Sequence, residues 1–127
     1  MNNFSIDTSK SVLVVDDNGI NRLLPGLILR PFGWSVYEVG DGFAALNFLK
    51  EVNISFLLLD LHMPGLGGMA ILANLRNDVN FHRLKIIAYT AYASEEDVSG
   101  LIEIGFDAVL IKPLTSVNLL GVLTRDS

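Results

Sequence analysis

The chain has 127 residues, half of them hydrophobic, with a formal net charge of -5 and no cysteine. That length and apolar share suit one compact domain burying roughly two-thirds of its unfolded surface. The absence of cysteine excludes disulfides, thiolate metal sites and thiol redox chemistry. The nine Lys and Arg are scattered along an acidic chain, which argues against direct nucleic-acid binding.

Residues 1–10 are polar and lack the basic flank and apolar stretch of a secretory signal, so they read as an N-terminal tail ahead of a domain over 11–125. No apolar run approaches the roughly 20 residues of a membrane span, because Pro25, Asn53 and Asp60 interrupt the longest candidates. A cytoplasmic protein without membrane insertion is expected.

In chain order, a first apolar run, Val12 to Val15, predicts a strand, and Ile20 to Leu29 has helical spacing with Asn18 as its cap. Pro25 followed by Gly26 predicts a kink or a late start there. Trp34 to Val39 reads as a strand and Phe43 to Leu49 as a helix capped by Asp41. Phe32, Trp34 and Tyr37 read as packing around that second strand.

Phe56 to Leu59 predicts the third strand and Met69 to Leu75 the third helix; Leu84 to Ala88 and Ala108 to Ile111 predict the last two strands. Val98 to Ile104 follows Ser94 and Asp97, spaced as a capping box, and Val117 to Leu123 closes the series. Gly33 and Gly105 stand where helices end. Most strand runs are continuous rather than alternating, which suits a parallel sheet covered on both faces. Five βα units therefore predict a doubly wound, flavodoxin-like α/β fold with five parallel strands in the order 2-1-3-4-5, and place ligands beyond the carboxyl ends of the strands.

The residues that end the runs carry the chemistry. Asp16 and Asp17 close the first, Asp60 the third, Thr90 the fourth and Lys112 the fifth. A lone Asp after a strand is as readily a helix cap, but capping gives no reason for a Thr and a Lys at the two remaining strand ends. Three carboxylates brought together require a cation, and an oxygen-rich set suits Mg²⁺ better than Zn²⁺.

The segments Val-Leu-Val-Val-Asp16-Asp17-Asn18, Leu-Leu-Leu-Asp60-Leu-His-Met63-Pro64-Gly65, Ile-Ile-Ala-Tyr-Thr90-Ala91 and Ile-Lys112-Pro113 resemble response-regulator receiver domains over nearly the whole chain. The resemblance implies that Asp60 accepts a phosphoryl group from a phosphohistidine on a sensor histidine kinase or histidine phosphotransfer protein, as a stoichiometric acceptor rather than a turnover enzyme. It implies Mg²⁺ held by Asp17, Asp60 and the backbone carbonyl of His62, with Asp16 acting through water. Lys112 and Thr90 would contact phosphoryl oxygens, and the Lys112-Pro113 bond would be cis. It further implies an output partner or attached effector domain, and leaves open a phosphorylation-linked dimer.

One position departs from the family pattern. Three residues before the lysine, where receivers carry Tyr or Phe, stands Val109, which cannot swing a ring between buried and exposed positions. A second reading follows: a phosphorylation-independent interaction module that keeps the site with an altered switch. Tyr92 and His62, two residues after Thr90 and Asp60, are the expected modulators of phosphoryl lifetime, whereas His82 reads as a surface residue. A phosphohydrolase of the haloacid-dehalogenase type is disfavoured, because its second Asp is replaced by His62.

Overall fold

Parallel strands must be joined by crossovers, and this chain alternates strand and helix throughout. The computed structural model describes residues 8–63, 65–91 and 93–124. Pro64, Tyr92, residues 1–7 and 125–127 lie outside the described residues, and with them most of the expected tail, the domain's expected end at 125 and the expected role of Tyr92.

A 3-10 turn, Thr8–Lys10, leads into β1 (Ser11–Val15) and α1 (Gly19–Leu29); a second 3-10 turn, Arg30–Phe32, precedes β2 (Ser35–Val39) and α2 (Gly42–Glu51). Then come β3 (Phe56–Asp60), α3 (Gly68–Arg76), a 3-10 turn at Val79–Phe81, β4 (Lys85–Thr90), α4 (Glu95–Ile104), β5 (Ala108–Ile111) and α5 (Ser116–Leu123). The five strands form one parallel sheet in the order β2-β1-β3-β4-β5, as predicted. In register, Val12 stands beside Val36 on one side and Phe56 on the other, while Thr90 pairs with Ile111.

Successive strand residues point to opposite faces, so the sheet divides the core in two. Leu13, Val15, Leu57, Leu59, Ile86 and Ala88 meet α2 and α3 through Ala45, Leu49, Ile71, Leu72 and Leu75. Val12, Val14, Leu58, Ile87, Tyr89 and Leu110 meet Leu29 of α1 and Leu119 and Leu123 of α5. Both faces being covered explains the continuous apolar runs. Each fully buried Leu contributes about 1.5–3 kcal/mol, which makes the central strands a rigid base for whatever their ends carry.

Several expected boundaries move. β3 and β4 extend to Asp60 and Thr90 themselves, so both side chains leave from ordered strand backbone rather than from loops. α4 begins a turn earlier than its apolar spacing, because its first turn is Glu95, Glu96 and Asp97, fixed by the Ser94–Asp97 capping box. α1 runs from Gly19 through Pro25 to Leu29, so of the kink or late start expected from Pro25 the late start does not occur. Asn18 Oδ1 accepts from the N–H groups of Ile20 and Asn21 and holds the earlier start in place. Trp34 precedes β2 and is buried against the Phe56 ring, 5.6 Å between centroids, whereas Phe32 is 57% exposed and is not core. His82 is exposed, as expected.

Candidate functional site

β1, β3, β4 and β5 all point their carboxyl ends to one edge, and four of the residues singled out in the sequence meet there while Asp17 stands at the rim. Asp16 is 0%, Asp60 3% and Thr90 1% exposed, whereas Asp17 is exposed. One carboxylate oxygen from each of Asp16, Asp17 and Asp60 lies within 4.8 Å of the other two.

Asp16 is held on all sides. Its Oδ1 accepts from the Asn18 N–H at 2.9 Å, its Oδ2 from Lys112 Nζ at 3.0 Å, and its main-chain carbonyl from Arg22 Nη1 at 2.8 Å. Arg22 also approaches Glu38 on β2 at 3.9 Å, which ties the β1–α1 turn to the neighbouring strand. The Lys112 ammonium reaches further, to 3.8 Å from Asp60 Oδ1, and lies 4.6 Å from the centre of the Tyr89 ring. Its backbone is placed by the N–H bond to the Thr90 carbonyl, 2.8 Å, and the Lys112-Pro113 bond is cis.

Asp60 Oδ1 accepts from the His62 N–H at 3.0 Å. Burial is the largest influence on this carboxyl and pushes it above the ordinary aspartate value of 3.8; the His62 N–H and Lys112 oppose that rise, and the Asp16 charge adds to it. The same surroundings push the Tyr89 hydroxyl up to about 12, through burial first and then the Asp16 and Asp60 charges. Two buried carboxylates with one ammonium between them leave net negative charge in a partly desolvated place.

The oxygen-only donor set and its spacing fit a hard divalent cation such as Mg²⁺. The arrangement offers a carboxylate at Asp60 and a fixed positive charge at Lys112, with the Thr90 hydroxyl at the end of the neighbouring strand. The loop after Asp60 crowds close: a side chain at Gly68 would come within 3.0 Å of the Asp60 carbonyl, so α3 starts directly against the Asp60 backbone.

Some of the site escaped sequence reasoning. His62 Nε2 lies 3.1 Å from Thr90 Oγ1, linking two strand ends through a ring that sequence alone could equally have left pointing into solvent. Arg22 carries no strand-end signal; only its position one helical turn after Asn18 hinted that it faces the edge. Val109 is half-buried in the core shared with Leu101 and α3.

No helix among the described residues is long and apolar enough to cross a membrane. A sequence model of the response regulator receiver domain matches residues 12–124. The chain is 30% identical over 115 residues to the chemotaxis protein CheY-3 of Vibrio cholerae, covering 90% of this chain and 88% of that protein. It is 33% identical to the sensor protein GacS of Pseudomonas syringae over 90% of this chain but only 13% of that longer protein. Among solved structures, it matches the receiver domain of a sensor histidine kinase from Pseudomonas aeruginosa PAO1, which holds a magnesium ion in its active site cleft. That match has 30% identity and a TM-score of 0.81 over 91% of this chain and 95% of that one. CheY4 of Vibrio cholerae aligns with a TM-score of 0.83 at 26% identity, over 91% and 96% of the two chains. With its fold, its acidic edge and these relatives in agreement, the chain belongs to the response regulator receiver domain family of two-component signalling.

Proposed function

We propose that Asp60 is the phosphoacceptor of a phosphorelay, and that its modification alters the binding of an output partner. The observation that carries this reading is the convergence of Asp16, Asp17 and Asp60 oxygens within 4.8 Å beside the Lys112 ammonium. An Asp60 carboxylate oxygen attacks the phosphorus of a phosphohistidine; the P–O bond forms as the P–N bond breaks, and the imidazole leaves to the donor protein. Lys112 and Thr90 meet charge on the phosphoryl oxygens in this reading, where one well-aimed donor is worth about 10²–10³ in rate.

Asp17, Asp60 and the His62 backbone carbonyl are assigned to hold Mg²⁺, with Asp16 acting through water. When bound, the ion supplies neutralisation of the charge gathered between the carboxylates and the phosphoryl group. The partner is a histidine kinase or histidine phosphotransfer protein, the protein is a stoichiometric acceptor rather than a turnover enzyme, and its compartment is the cytoplasm.

Treatment of the full chain with acetyl phosphate and Mg²⁺, followed by intact mass, tests this. Wild type gains one phosphoryl group and Asp60→Asn gains none; an unlabelled wild type overturns the reading. Val109 supports one competing account, a module that binds its partner with Asp60 unmodified, and equal partner binding before and after labelling would favour it.

A further inference from the structure

His62 touches both halves of the site. Its main-chain N–H is bonded to Asp60 Oδ1 at 3.0 Å, and its ring Nε2 stands 3.1 Å from Thr90 Oγ1. The ring also borders a surface cavity of about 450 Å³, which it shares with Thr90 and with Ala93, Glu96, Asp97, Gly100 and Leu101 at the start of α4. The cavity therefore lies against the first turns of α4, a helix with no buried residue. Val109 is absent from its walls, and a stiff two-branched side chain packed into the neighbouring core cannot enter it.

We propose that His62 is the side chain that reports the state of Asp60 to α4. The inference rests on the phosphoacceptor reading and names the regulation of that same site. A threonine hydroxyl has a single proton to donate. In the resting structure the Thr90 hydroxyl is hydrogen-bonded with His62 Nε2, whereas a phosphoryl group on Asp60 offers a charged oxygen, a strong acceptor for that proton. Thr90 then exchanges His62 for the phosphoryl group. The released ring turns into the space beside Gly100 and Leu101, and α4, anchored by little burial, shifts to accommodate it. The lever is thus a ring on the β3–α3 loop.

The experiment compares wild type and His62→Ala as full chains, each with Mg²⁺ and beryllofluoride as the phosphoryl mimic. It follows the imidazole ¹⁵N resonances and the backbone amides of residues 95–101 by NMR, with acetyl phosphate labelling measured in parallel by intact mass. The mimic is expected to move the wild-type Nε2 resonance and to shift the α4 amides. In His62→Ala those amide shifts, compared at equal beryllofluoride occupancy, fall by about fivefold or more. Equal α4 shifts in the two proteins, an unmoved Nε2 resonance, or α4 amides indifferent to the mimic in a labelled wild type each overturn the relay alone. So does loss of labelling confined to His62→Ala, which would put the residue in the transfer itself. A wild type that never labels overturns the acceptor reading and the relay with it.

Discussion

Helices α3 and α4 lie on the same face of the sheet and differ by one residue in length, yet they are attached in different ways. α3 buries Gly68, Ile71, Leu72 and Leu75. Its last residue, Arg76, donates to the Gly105 carbonyl at 2.7 Å and 3.0 Å, to the Leu84 carbonyl at 3.1 Å and to Asp107 Oδ2 at 2.7 Å. α4 buries no residue and is defined at its start by the reciprocal bonds between Ser94 and Asp97. One helix is part of the core; the other rests on it. The difference follows from where the apolar residues fall: α3 places four buried positions against the sheet, α4 none.

The largest expected effect tests that division directly. Leu72→Ala should cost about 2–5 kcal/mol in urea unfolding, while Leu101→Ala, from a half-buried position, should cost about 1 kcal/mol. Equal losses would erase the distinction between the helices. Arg76→Ala comes next, at about 1–3 kcal/mol, because two main-chain carbonyls and Asp107 lose a shared donor. Its effect should include the β4 start, since Asp107 Oδ2 also accepts from the Ile86 N–H at 2.7 Å; amide exchange at Ile86 measures this.

Ser94→Ala should cost about 1 kcal/mol, and hydrogen exchange should speed up across 95–104 while 68–76 stays unchanged. The smallest effect has a sign as its signature. The backbone and side-chain bonds to Ser94 hold the Asp97 carboxyl below 3.8, so its contribution is present above that value and is lost as pH falls through the folded one. Asp97→Asn should therefore be less stable than wild type at neutral pH, with the gap closing in acid. Asp60, raised by burial, has the opposite sign: its cost is absent below 3.8 and grows as pH rises through its folded value. Asp60→Asn should accordingly exceed metal-free wild type in stability at neutral pH and lose that advantage in acid. Urea titrations across pH check both.

The strand order and the edge where the acidic residues gather were legible because a buried parallel sheet leaves continuous Val, Leu and Ile runs, each stopping at a polar residue. Boundaries were less so. The first turn of α4 is all acidic and carries no apolar period, and Pro25 is accommodated inside α1, although its ring normally interrupts a helix. Within the site, the meeting of Asp16, Asp60, Thr90 and Lys112 followed from their places at the strand ends. The bond between His62 and Thr90 could not be read, since it depends on a rotamer across two loops, and the Arg22 grip on the Asp16 carbonyl depends on the turn between them.

The contacts of Lys112 also bear on how the polypeptide is made. Synthesis delivers Asp16, Asp17 and Asp60 first, three anions whose strands must lie side by side, and the ammonium that stands between two of them arrives only with the final strand. Until β5 docks against β4, these carboxylates lack the ammonium that stands between Asp16 and Asp60. The last βα unit thus acts as a latch on assembly, and a nascent chain cannot complete this charge cluster before that unit has emerged.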